Sequence, residues 1–190
     1  IYAPEYYVWS FDIHILCLLL HSYATKITMK DIDDTATRYI KANPAFSFFS
    51  DEFKTIYYEK CMAFGKDYID KPGEKVRDDK IKKLISGYRT WDNAALSGLY
   101  LRIFSHFYND KIPYSKLLIE FSQLLLQNLS PEPDERLSVD DTLKAYEKIL
   151  NMTNIEEIDL ENVTKVNYDY EKVISVSRKE SEVLRTISGN

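Results

Sequence analysis

Asn128-Leu129-Ser130-Pro131-Glu132-Pro133-Asp134-Glu135-Arg136-Leu137-Ser138 separates two segments of helical spacing. Pro131 and Pro133 fix φ near about −65° and remove two backbone donors, so no helix runs through this stretch. Behind it, Ser138-Val139-Asp140-Asp141 reads as a helix cap, followed by Leu143, Tyr146, Ile149 and Leu150 at helical intervals. In front of it, Pro113 opens a Leu-rich helix over Tyr114 to Leu129. The unit is therefore helix, rigid loop, helix.

Working outward, the same logic covers most of the chain. Asp92 to Tyr108 is the most apolar helix of the second half, ended by Asn109-Asp110. Glu74 to Ser86 is a charged amphipathic helix stopped at Gly87. Ser50-Asp51 starts a helix that Lys71-Pro72-Gly73 breaks. Thr28-Met29-Lys30-Asp31 resembles a capping box with Asp in place of Glu, and Asn43-Pro44 ends the helix that it opens. Phe11 to Ala24 is apolar on most sides, which predicts a buried helix. Ile1 to Tyr7 reads as loop, and residues 152–190 as a partly ordered, partly helical extension. The expectation is an all-α chain of about seven helices.

Composition agrees. The chain has 190 residues, 45% of them hydrophobic, with 5 glycines and a net charge of −5. That is enough for one core and too few turn residues for an all-β sandwich, which needs a turn signal every ~8–12 residues. The acidic balance argues against nucleic acid as a partner. The longest apolar run, Ile15 to Leu20, falls far short of a membrane span. Cys17 and Cys61 form no disulfide framework or metal pair, which points to a reducing, intracellular compartment.

Few side chains carry chemistry. His14, Cys17 and His21 share one helix face, but a tetrahedral metal site needs a fourth ligand that no nearby spacing supplies. No metal site is expected. The acidic clusters Asp31-Asp33-Asp34, Asp78-Asp79 and Asp140-Asp141 sit where they favour helix starts. There is no nucleophile elbow, zinc-protease signature, P-loop or calcium loop. Tyr39, Tyr57, Tyr100 and Tyr146 fall on apolar faces and are expected in the core rather than on a stacking surface.

Three segments in order carry a resemblance: Ala3-Pro4-Glu5, then Trp91-Asp92-Asn93-Ala94-Ala95-Leu96-Ser97, then Leu129-Ser130-Pro131-Glu132-Pro133-Asp134-Glu135-Arg136-Leu137-Ser138. Together they resemble the C-terminal lobe of a eukaryotic-type Ser/Thr protein kinase. The style is most similar to kinase-like proteins of large DNA viruses. That family ends its activation segment with Ala-Pro-Glu and opens a buried helix with Asp-x-Trp-Ser-x-Gly. It has a Leu-x-x-Asp-Pro-x-x-Arg-x-Ser/Thr turn near its end. Two stretches compete for the buried helix. Tyr7-Val8-Trp9-Ser10-Phe11-Asp12 keeps Trp-Ser, and Asp92 to Ser97 keeps the Asp. Spacing to Arg136 favours Asp92, which makes residues 11–88 a helical insertion in a lobe spanning 1–151.

The resemblance implies roles. Glu5 pairs with Arg136, both at least partly buried. Asp92 accepts N–H bonds from a catalytic loop. Tyr2, Ala3 and Pro4 line the pocket beside the phosphorylated residue. The intact protein would use ATP and Mg²⁺ to phosphorylate protein hydroxyls. Its Gly-rich loop, ATP-binding Lys, His-Arg-Asp and Asp-Phe-Gly would lie before residue 1. This chain would then be a fragment beginning mid-domain, inactive alone, without catalytic residues or a cofactor of its own. Its partners would be the missing N-terminal part and a protein substrate, in host cytoplasm or virion. The other expectation is a pseudokinase or a helical protein-interaction module.

Overall fold

A computed structural model describes residues 1–22, 26–47, 49–71, 77–109 and 116–152. Among them seven α-helices follow one another: α1 (Phe11–His21), α2 (Met29–Ala42), α3 (Asp51–Gly65), α4 (Arg77–Ser86), α5 (Trp91–Asn109), α6 (Lys116–Asn128) and α7 (Val139–Met152). Short 3₁₀ turns lie at Pro44–Phe46, Lys66–Tyr68, Gly87–Thr90 and Pro133–Glu135. No strand occurs among the described residues, so the fold class is all-α.

The expected punctuation explains most boundaries. Asp31 takes hydrogen bonds from the Thr28 N–H (2.8 Å) and hydroxyl (2.7 Å), the acidic arm of the anticipated cap. The Ser50 hydroxyl accepts from the Phe53 N–H at 3.1 Å, and that of Ser138 from the Asp141 N–H at 3.1 Å. Pro44 cannot prolong α2, and the Asn43 side chain instead accepts from the Ala45 N–H at 3.0 Å to start a tight turn. α3 ends at Gly65, earlier than Lys71-Pro72-Gly73 suggests. There a Cβ would stand 2.2 Å from Cγ2 of Ile32, so glycine lets α2 and α3 approach closely. The expected starts of the fourth and sixth helices and the extension after Met152 fall outside the described residues.

α1 carries the core. Phe11, Ile15 and Leu19 are fully buried, as are Ile32, Ala36 and Tyr39 of α2. A chain of rings links Phe11 to Tyr39 (5.8 Å), Tyr39 to Phe46 (6.3 Å) and Phe46 to Tyr57 of α3 (4.6 Å). Leu84 of α4, Leu101 of α5 and Leu125 of α6 close the same cluster. Among the described residues, those of 11–88 supply most of the buried apolar side chains. They pack with the later helices within one compact unit, Ile1–Thr153.

α5 departs from expectation. Its small residues Ala94, Ser97 and Gly98 face inward, while Leu96, Leu99, Tyr100 and Ile103 are exposed. Tyr100 is therefore not a core residue, in contrast to Tyr39 and Tyr57. Its ring rests against Phe121, which also meets Tyr146 of α7 at 4.9 Å. No helix of the described residues is long and apolar enough to cross a membrane.

Candidate functional site

The loop from Ser130 to Ser138 lies against the start of α1. Its Arg136 side chain is fully enclosed, with 0% of its surface accessible, and so is that of Asp12. Arg136 Nη2 donates to Asp12 Oδ1 at 2.6 Å, and Nε to the Ser130 carbonyl at 2.7 Å. Its Nη1 donates to the Thr90 hydroxyl at 3.2 Å. Asp12 is satisfied in turn. The Ser10 hydroxyl donates to Oδ1 at 2.5 Å, and the Trp91 indole N–H to Oδ2 at 2.7 Å.

Local sequence builds this arrangement. Ser10 is the residue before α1, and its hydroxyl turns to Asp12 rather than capping the helix. Pro131 and Pro133 stiffen the loop so that the Ser130 and Pro131 carbonyls face the guanidinium. Gly87 lets the preceding turn come close. A Cβ there would lie 2.9 Å from Pro133 Cβ and 3.7 Å from Asp12 Oδ2. An enclosed charge pair is tolerable only with such complete partnering, since desolvation otherwise outweighs attraction.

A second polar knot ties the helices behind the loop. Asn93 Nδ2 donates to the Leu137 carbonyl (3.1 Å) and the Thr142 hydroxyl (2.9 Å). Fully buried Asn128 donates to the Ser97 hydroxyl at 3.2 Å, so α5, α6 and α7 share one network. The Tyr57 hydroxyl donates to the Leu129 carbonyl at 2.7 Å, adding α3.

The residues singled out from sequence distribute differently. The expected Glu5–Arg136 pair is not formed. Glu5 instead accepts from Arg38 Nε at 2.7 Å and also from Nη2, on the surface of α2. The guanidinium beside Glu5 holds its carboxyl below the usual range. Arg136 is buried as expected, but its partner is Asp12, seven positions further along a chain that turns inward at Ser10. Asp92 is exposed in the first turn of α5. Of the two stretches that competed for the buried helix, Trp9 to Asp12 enters the enclosed one, α1, whereas α5 is exposed along one side. Tyr2 is half-buried, its hydroxyl 2.7 Å from that of Thr35 and its ring stacked on His21. Ala3 is half-buried and Pro4 buried.

His14, Cys17 and His21 do not converge. His14 is fully buried, Cys17 partly buried and His21 exposed. No group of three or more metal-ligating side chains occurs among the described residues. The His14 ring packs 5.0 Å from Tyr39 and 5.9 Å from Trp9. The Tyr6 and Trp9 carbonyls face it without completing a hydrogen bond to either nitrogen. Burial pushes its pKa down to about 4, against the pull of Asp12.

Sequence reasoning missed Asp12, Trp91, Asn93 and Asn128. A usable signal existed for one of them: an acid near the start of a helix apolar on most sides is expected to be buried with a partner. As an arrangement, the Asp12–Arg136 cluster consumes its own hydrogen-bonding capacity. Chemically it is a clamp rather than a binding or proton-transfer site.

No family model, curated protein or solved structure matches the chain.

Proposed function

We infer that the chain is the helical C-terminal lobe of a protein-kinase-like protein. In the intact protein this lobe would give mechanical support to ATP-dependent transfer to protein hydroxyls, and would offer a platform for the protein substrate. In this reading ATP and Mg²⁺ would bind residues that precede this chain in the intact protein. The observation that carries the reading is the enclosed Arg136. The resemblance implies an Arg in this turn that is at least partly buried; Arg136 is buried, although its partner is Asp12, 124 positions away, and not the Glu5 that the resemblance implies. The entry of α1, the most enclosed helix, directly after Trp9-Ser10 supports the same reading.

A second reading, a helical interaction module without chemistry, draws on the exposed stripe Leu96, Leu99, Tyr100 and Ile103, a surface of the kind that protein contacts cover. Determining the coding sequence upstream of Ile1 separates the two. A frame continuing into a Gly-rich loop, a Lys, His-Arg-Asp and Asp-Phe-Gly is the expected result. The protein made from that frame should phosphorylate casein in the presence of Mg²⁺ and ATP. A frame lacking those motifs overturns the enzymatic reading and leaves the module.

A further inference from the structure

α3 and α6 do not close on each other along their full length. Between them, and beneath the Ser130–Glu135 loop, runs an open groove of about 400 Å³. That volume lies within the range of about 300–1,000 Å³ over which ligand pockets run. Its floor is apolar: the Tyr57 ring, 5% exposed, with Leu126 and Pro131. Tyr57 is fixed there by its hydroxyl bond to the Leu129 carbonyl at 2.7 Å, so the floor is rigid. Ile56, 50% exposed, stands as an apolar wall on the α3 side.

The rim has a regular chemistry. Gln123 and Gln127 project from α6 one turn apart, and both are exposed. Neither amide has an intramolecular partner among the described residues. Each carries a donor and an acceptor, the same pair that a peptide group presents. Residues i and i+4 of a helix are about 6 Å apart along its axis. Alternate residues of an extended chain repeat at about 6.6 Å. Two glutamines at this spacing therefore match two alternate peptide groups of one extended strand. The side chain pointing down between those groups would meet the apolar floor. Charge adds polarity: Lys60 on the α3 rim pairs with no acid among the described residues, and Glu135 lines the groove from the loop.

We propose that this groove binds a short extended segment of a partner protein. Gln123 and Gln127 pair with its main chain, an apolar side chain rests on Tyr57 and Leu126, and an acidic side chain meets Lys60. The exposed residues of α5 do not line this groove. Tyr2, Ala3 and Pro4 are not among the residues that line the groove, and the proposal stands whether or not the kinase-like reading holds.

Selecting random linear peptides on the full chain tests the proposal. The expected result is an enriched pattern with apolar residues at alternate positions and an acid to one side. The best peptide, fluorescein-labelled, should bind the Gln123→Ala/Gln127→Ala variant at least about tenfold more weakly, a loss of about 1.4 kcal/mol. Lys60→Glu should exchange the acidic preference for a basic one, a change that mere loss of stability does not produce. All three positions are exposed, so circular dichroism should show unchanged helicity. No enriched pattern, or equal binding by the double glutamine variant, overturns the proposal. So does self-association of the wild type in sedimentation that the glutamine substitutions abolish, because the occupant is then a second copy.

Discussion

Among the described residues, two carboxylate–guanidinium pairs join the first twelve residues to later parts of the chain, and their surroundings are opposite. Glu5 and Arg38 meet on the surface, with 53% and 40% of their side chains exposed. Asp12 and Arg136 meet inside, with none. The surface pair joins a loop to α2 and remains in water, where such pairs contribute about 0–1 kcal/mol. The enclosed pair joins α1 to the α6–α7 loop and lies among groups that cannot move away from it. The same chemistry is a minor fastening in one place and a structural keystone in the other, and solvent is the difference. An isolated enclosed charge has no water to return to, so breaking that pair costs more than the pair itself contributes.

The comparison breaks most visibly when one enclosed partner is removed. Asp12→Leu should destabilise the chain by about 3–5 kcal/mol, read as a fall in the urea midpoint, because Arg136 is left charged and unpaired. Arg136→Met added to it should restore part of the loss. No restoration would mean that Asp12 acts through packing alone.

His14 sharpens the picture, being enclosed on the same helix without a partner. Its pKa lies at about 4 in the folded chain, below the ordinary histidine value, so the unfolded chain takes up the proton first. Its contribution is complete above about pH 6.5 and is lost as pH falls from there to about 4, on the order of 3 kcal/mol in total. His14→Phe should flatten that limb of the stability–pH curve. A limb of unchanged slope would assign the acid sensitivity to other groups.

Gly87→Ala should come next, at about 1–3 kcal/mol, because its methyl group meets Pro133 and displaces the loop that carries Arg136. A neutral result would show that the loop yields. Smallest of all, Glu5→Gln should change stability by less than about 1 kcal/mol, and that change should shrink further in high salt.

What the sequence disclosed follows from how local each signal is. Caps at Thr28, Ser50 and Ser138 and the stop at Asn43-Pro44 depend on neighbours a few positions away, and they were readable. The burial of α1 was readable too, because a helix apolar on most sides is stable only when enclosed. The pairing of Arg136 was not. Glu5 and Asp12 are both acids near the start of the chain, and only the inward turn at Ser10 decides which one reaches the loop. The Asn93–Thr142–Asn128 knot was equally silent, since an amide in a helix reads as surface until its partners are known. α5 misled for the opposite reason. Its apolar residues outnumber what one side can bury, so Leu96 and Ile103 face outward.

The most direct test is a pair of double-mutant cycles sharing Arg136, measured by urea unfolding at neutral pH. Asp12→Leu with Arg136→Met should give a coupling of at least about 2 kcal/mol, as residues in one buried network do. Glu5→Gln with Arg136→Met should be additive within about 0.5 kcal/mol. Strong coupling of Arg136 to Glu5 with additivity at Asp12 would contradict the clamp.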